Sequence, residues 1–169
     1  MKVSCLQEHL AKGLTIVSRA VSTRSTLPVL ANVLLATDNG RLKLSATNLE
    51  IVITCWIGAK VEEDGAITLP ARTLVDLVNT LPQDQVELKL FEADLSVHIS
   101  CGWTEANIKG IDYEEFPIVP EPNDDERIRL EADVLKKMIN QVAFAAATDD
   151  SRPALTGVNA TFDGNQVHM

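Results

Sequence analysis

Two lysines occupy matching places in a sequence that repeats itself. Residues 10–38 read again, without a gap, as residues 135–163, with nine identities: Leu10/Leu135, Lys12/Lys137, Val17/Val142, Ala20/Ala145, Thr23/Thr148, Pro28/Pro153, Leu30/Leu155, Val33/Val158 and Asp38/Asp163. Ordinary residue frequencies would give about two. In the first copy Leu10, Leu14, Val17 and Val21 recur at helical spacing, and in the second Leu135, Ile139, Val142 and Ala146 do the same. At roughly 100° per residue the first four fall within about 60° of one another. Lys12 and Arg19 lie on the opposite side, and Lys137 takes the angular position of Lys12. Arg24 and Arg152 sit in the loops that follow. Cations behind an apolar stripe most often only solvate a helix. Their recurrence points further, to two domains presenting positive charge to a polyanion. Such contacts go to phosphates, so they ignore base sequence and weaken with salt.

Other chemistry is missing. His9, His98 and His168 stand apart from any Cys or carboxylate at ligand spacing. His98 alternates with Val97 and Ile99 and reads as an ordinary exposed strand residue. There is no phosphate loop, dinucleotide fingerprint or nucleophile elbow. Glu62-Glu63-Asp64 and Asp124-Asp125-Glu126 lack the glycine and distal glutamate of a calcium loop and read as solvated turns. No catalytic residue, metal or cofactor is expected. Trp56 and Trp103 lack the aromatic neighbours of a base-stacking platform and are expected to be packing residues. Cys5, Cys55 and Cys101 are odd in number and widely spaced, which suits reduced thiols in the cytoplasm. No stretch reaches the roughly 20 apolar residues of a membrane span, and the first residues lack the apolar run of a signal peptide.

A net charge of −9 opposes a uniformly basic nucleic-acid binder. The charge is segregated, however. Residues 112–126 carry seven acids and no Lys or Arg, whereas residues 1–24 carry Lys2, Lys12, Arg19 and Arg24 against Glu8 alone. One face can then attract a polyanion while the rest repels it.

The elements that must position these cations follow from periodicity. Residues 1–6 predict a strand, Gln7 to about Val21 a helix, and Val29–Thr37 a strand after a loop ending at Pro28. Asp38-Asn39-Gly40 predicts a type I′ hairpin into a strand Arg41–Ala46. Glu50–Val61 and Ala66–Leu69 predict strands, Ala71–Leu81 a helix, and Val86–Leu90, Leu95–Cys101 and Glu105–Lys109 further strands. Phe116 to Glu126, with three prolines and a closing acidic run, resists regular structure. The pattern then restarts: a strand Ile128–Leu130, a helix Ala132–Ala147, a loop Thr148–Pro153, a strand Leu155–Phe162, a turn at Asp163-Gly164-Asn165 and a strand stub to Met169. The reading is α+β, with mostly antiparallel strands and two helices on one side of each domain. Domains are expected at 1–120 and 127–169, joined by a linker at 121–126. The second copy breaks off, as in a repetitive protein cut short.

The opening Met1–Leu10, the loop Thr23-Arg-Ser-Thr-Leu-Pro-Val-Leu30, Ser45-Ala-Thr-Asn-Leu-Glu50, Leu69-Pro-Ala-Arg72, Phe116-Pro117 and Ser151-Arg-Pro-Ala-Leu-Thr-Gly157 together resemble the bacterial DNA polymerase III beta subunit, the sliding clamp family. The resemblance implies a clamp fold in which three similar domains per subunit, and two subunits head to tail, close a ring around double-stranded DNA. Helices then line the hole and sheets form the outer wall. This chain would supply the first domain and the opening of the second. Arg24 matches a pore-facing DNA contact, Arg152 lies in the corresponding second-domain loop, and Lys12, Lys137 and Arg19 fit the pore lining. Asp149, Pro153 and Ala154 stand where the family can carry further polar and aromatic DNA contacts. Leu155 matches a wall of the groove that takes a short peptide from the DNA polymerase III alpha subunit, the clamp loader and other replication and repair proteins. Ala106 and Ile108 match the edge strand of the homodimer interface. The implied role is a non-enzymatic processivity factor; the alternative is a duplicated protein-interaction domain without DNA function.

Overall fold

The computed structural model describes residues 1–22, 26–118, 128–149, 151–163 and 166–169. They fall into two compact units, Met1–Pro120 and Glu121–Met169. In the first, β1 (Lys2–Leu6) leads into α1 (Gln7–Val17). Then come β2 (Asn32–Asp38), β3 (Arg41–Thr47), β4 (Val52–Gly58), β5 (Lys60–Glu63), β6 (Ala66–Pro70), α2 (Ala71–Thr80), β7 (Gln85–Phe91), β8 (Ser96–Cys101) and β9 (Thr104–Lys109). One sheet runs β5-β1-β7-β8-β9 and the other β4-β3-β2-β6.

Alternation along the strands turns one face of each sheet toward the two helices. Leu10, Leu14 and Val17 of α1, with Leu74 and Val78 of α2, meet Leu35, Leu42, Leu44, Leu69 and Leu88 in a core closed to solvent. Each such aliphatic side chain contributes about 1.5–3 kcal/mol by leaving water, an upper bound given compact unfolded chains. Gly13 lets α1 lie close: a Cβ there would stand 2.7 Å from Leu44 Cδ1 and 3.1 Å from Ile57 Cγ2. The Gln7 side-chain amide donates to the Val78 carbonyl at 2.8 Å. The same carbonyl accepts the Leu81 N–H at 3.3 Å, so the Gln7 amide adds a second donor at the end of α2 and ties the two helices together.

The β2–β3 hairpin turns on Asn39 (φ 49°) and Gly40 (φ 72°), the type I′ geometry expected of Asn-Gly. After β9 the chain crosses to the other sheet, where Ile111 and Thr68 exchange backbone bonds at 3.0 and 3.1 Å. Phe116 then covers Val29, Leu30 and Leu34, a small cluster separate from the main core.

The second unit repeats this opening. It contains α3 (Ala132–Val142), β10 (Thr161–Asp163) and β11 (Gln166–His168). Tight 3₁₀ turns follow both helices, at Ser18–Ala20 and Ala143–Ala145. The Ser22 N–H donates to the Leu30 carbonyl, and its counterpart Ala147 to Leu155. Asp163 pairs with Gln166 as Asp38 pairs with Arg41. No described residue of the second unit is buried.

Several expectations need correction. The first helix ends at Val17, four residues early, because the chain tightens into a 3₁₀ turn. Pro28 opens another 3₁₀ turn, Pro28–Ala31, so β2 starts at Asn32 and not Val29. Glu50–Val61 is two strands in different sheets, β4 and β5. Ile128–Leu130 forms no strand, and Leu155–Ala160 is a turn and extended chain, because no strand among the described residues pairs with either. The α-helix of the second unit stops at Val142, and its apolar face, Leu135, Ile139, Val142 and Ala146, is half-buried at best. Trp103 packs on nothing: it is fully exposed in the β8–β9 turn. The 121–126 linker and the Gly164-Asn165 turn lie outside the described residues.

Candidate nucleic-acid interface

Helix α1 is pinned by its buried stripe, which leaves Lys12 exposed on the far side. Arg19, carried on the 3₁₀ turn after it, is exposed as well. Neither enters an ion pair within the described residues. On α2 the exposed Arg72 faces Asp76 at 3.9 Å, so that helix surface is close to neutral. The free positive charge of the first unit's helix layer therefore comes from Lys12 and Arg19, with Glu8 in the first turn as the nearest opposing charge on α1.

Helix α3 presents Lys137 at the place of Lys12 and adds Lys136, both exposed. The position of Arg19 is taken by Phe144, 84% exposed, so the two surfaces are not copies in charge. Arg152 is exposed, and its carbonyl accepts from the Leu155 N–H at 2.9 Å, which fixes the loop backbone just before the 3₁₀ turn Pro153–Leu155. Asp149 holds the repeat position of Arg24. The Ser151 hydroxyl and N–H both donate to its carboxylate and hold it below the usual carboxylate range. This loop therefore offers a phosphate one cation, Arg152, and a fixed negative charge. Arg24 lies outside the described residues.

The remaining expected site residues are placed as follows. Leu155 is 52% exposed, whereas its twin Leu30 is sealed by Phe116. Ala106 and Ile108 lie on β9, the last strand of its sheet, with Ile108 buried in the main core and Ala106 half-buried. That strand's exposed side chains are Thr104, Glu105, Asn107 and Lys109.

No group of three or more metal-ligating side chains comes together among the described residues. Burial pushes the Cys5 thiol up to about 12, which keeps it unreactive. Cys55 is half-buried in the wall of a cavity of about 300 Å³ between α1 and β4, beside Gly13 and Ile16. Trp56 is held by its indole N–H on Asp38 at 2.6 Å, with Arg41 and Lys43 near its ring. The sequence reading missed the exposure of Trp103. The short Cys101-Gly-Trp-Thr104 stretch between two alternating strands is a hairpin signal that would have revealed it.

Two compact units with one opening fold define a duplicated clamp-type architecture. Residues 1–120 match the family model of the DNA polymerase III beta subunit, N-terminal domain, and residues 129–169 that of its central domain. The chain is 41% identical over 161 residues to the beta sliding clamp of Synechococcus elongatus, covering 94% of this chain and 43% of that protein. It is 36% identical over 176 residues to that of Synechocystis sp., covering 100% and 45%. It superposes on the DNA polymerase sliding clamp of Bacillus subtilis with a TM-score of 0.89 at 30% identity, covering 95% and 44%. The DNA polymerase beta subunit of Streptococcus pyogenes gives 0.89 at 27%, covering 97% and 44%. This chain belongs to the DNA polymerase III beta subunit family, the sliding clamps. It spans less than half the length of the curated relatives it matches. No helix among the described residues is long and apolar enough to cross a membrane.

Proposed function

We propose that this chain forms part of a cytoplasmic clamp that encircles duplex DNA and tethers the replicative polymerase, with no catalysis of its own. The observation that carries the reading is the pair of lysines at one repeat position. Lys12 and Lys137 each stand exposed on a helix, with no ion pair among the described residues, and in the first unit the opposite stripe of that helix is locked into a closed core. Arg19 and Arg152 add to this surface, and Arg24 joins it by family resemblance. The domains are read as 1–120 and 127–169, with 121–126 between them.

Tethering works through effective concentration rather than tight DNA contact. A few exposed cations are therefore enough, and a stronger patch would brake sliding. Leu155 is read as one wall of the groove that receives peptides of the polymerase alpha subunit, clamp loader and repair proteins. The β9 edge around Ala106 and Ile108 is read as the contact between subunits of a homodimer.

The test is duplex binding by the 169-residue chain as salt is raised. The expected result is weak, sequence-independent binding whose log K falls by about 0.9 per phosphate contact for each tenfold rise in salt. Lys12→Gln and Lys137→Gln should each reduce that slope by about 1. Tight, salt-resistant binding, or no binding at low salt, overturns the reading, the latter in favour of an interaction domain without DNA function.

A further inference from the structure

The two helix surfaces part company where the repeat sets Phe144 opposite Arg19. In the first unit, whose core is closed, the 3₁₀ turn Ser18–Ala20 buries Ala20 and leaves Arg19 exposed. The turn Ala143–Ala145 follows α3 in the same way. Position 144 therefore belongs to the outward side of its turn, and Phe144 is 84% exposed there. That exposure does not follow from the open apolar face of α3, which lies on the other side. A phenylalanine left in water forgoes a large apolar contribution, and here it stands where a cation would be solvated freely.

Phe144 comes seven residues after Lys137, close to two helical turns and about 10 Å along the axis. Asn140 and Gln141 lie between them at the spacing that shares one helix face, and all four side chains are exposed. Lys136 adds another exposed cation. Neither lysine enters an ion pair among the described residues. Asp133, one turn before Lys137, is the opposing charge, as Glu8 is on α1. The same ridge in the first unit reads Lys12, Thr15, Ile16 and Arg19. The second unit thus ends its ridge with a ring and carries two amides along it. Among the described residues no cation lies over the Phe144 ring, whereas the Trp56 indole is held by Asp38 and flanked by Arg41 and Lys43.

Such a ridge suits a strand whose bases are free. Lysine offers charge to a phosphate, and an aromatic ring offers a stacking face to any base. Amides between them can meet a base edge. In a duplex the bases already stack on one another, so Phe144 has none to reach.

We propose that the ridge from Lys137 to Phe144 holds single-stranded DNA, with Lys137 on a phosphate and Phe144 stacked on one base. The inference rests on the reading that the cation-bearing helix surfaces face DNA, and adds that the two units favour different forms of it.

The test compares binding of the 169-residue chain to an oligothymidine of about 20 nucleotides, to an abasic strand of the same length and charge, and to duplex, all at low salt. Phe144→Ala should weaken oligothymidine binding about tenfold. Duplex binding and its salt slope should be unchanged in that variant, which also reports that it is folded. Phe144→Leu keeps the apolar bulk without a π face and should lose as much, whereas Phe144→Trp should bind like the parent. The abasic strand should bind the parent as weakly as oligothymidine binds Phe144→Ala. Oligothymidine binding indifferent to Phe144→Ala, full binding by Phe144→Leu, or an abasic strand bound as well as oligothymidine would each overturn the proposal. In those cases the effect of Lys137→Gln on the duplex slope still stands. Absence of duplex binding by the parent chain would instead remove the DNA reading, and this inference with it.

Discussion

Helices α1 and α3 are the same local structure placed in two different surroundings. They match residue for residue in extent, in the 3₁₀ turn that follows, and in the backbone bond that closes the next loop. Yet Leu14 is sealed from water, whereas Ile139, at the same repeat position, is 43% exposed. The difference lies in what covers them. Around α1, strands β1, β3 and β4 and helix α2 complete a core, while the described residues of the second unit hold a helix and a short hairpin. Local sequence thus shapes the helix and its turns, and burial is a separate property supplied by distant segments. Most helical stability in proteins comes from such packing and not from propensity.

The sharpest way to break this comparison is truncation at matched positions. Leu14→Ala should cost the first unit about 3 kcal/mol, transfer plus cavity, and Ile139→Ala less than about 1 kcal/mol, each read from urea unfolding. Equal costs would mean that the α3 face is covered after all. Next comes Gly13, whose counterpart is Met138. Gly13→Ala should destabilise by about 1–3 kcal/mol because the new methyl meets Leu44 and Ile57. Met138→Ala should cost far less, since Met138 is only half-buried.

A smaller effect comes from Cys5. Its proton stays on to about 12 in the folded chain but leaves near 9.0 when unfolded, so above pH 9 the folded state binds more protons. Stability should therefore fall as pH rises from 9 toward 12, by up to about 1.4 kcal/mol per pH unit from this group. Replacing Cys5 by Ala should remove that slope. In the native chain Cys55 should react with a thiol reagent, and Cys5 should not. The least effect belongs to Lys2 and Glu62, joined at 2.6 Å on the surface. Lys2 and Lys60 hold the Glu62 carboxyl below its usual range. The pair should therefore stabilise above the ordinary carboxylate pKa and be lost as pH falls through the lowered one. Glu62→Gln should flatten that acid limb slightly, and added salt should hide the change.

Much of the fold was legible because periodicity and turn chemistry agreed. The alternation of Leu42, Leu44 and Ala46, the Asn39-Gly40 turn and the stripe of α1 all carry local signals. Lys12 and Lys137 were legible for the same reason, as positions fixed by helical spacing. What failed was decided by partners far along the chain. Glu50–Val61 looks like one apolar run, but its halves pair with β3 and with β1 in different sheets. Leu155–Ala160 has the composition of a strand, but no strand among the described residues pairs with it. Proline at position 28 excludes an α-helix but tolerates the 3₁₀ turn that displaces the start of β2.

The crossing at Thr68 and Ile111, with Phe116 seated on Val29, Leu30 and Leu34, also has a mechanical meaning. Tension applied at the carboxyl end of the first unit would meet this clasp before it reached the main core. The clasp grips the second sheet at β6 and at the turn leading into β2, whereas α1, which carries Lys12, packs on the β3 and β4 side of that sheet, so load would enter on the far side from α1. Pulling on the end of the first unit would therefore load the side of that sheet farther from Lys12.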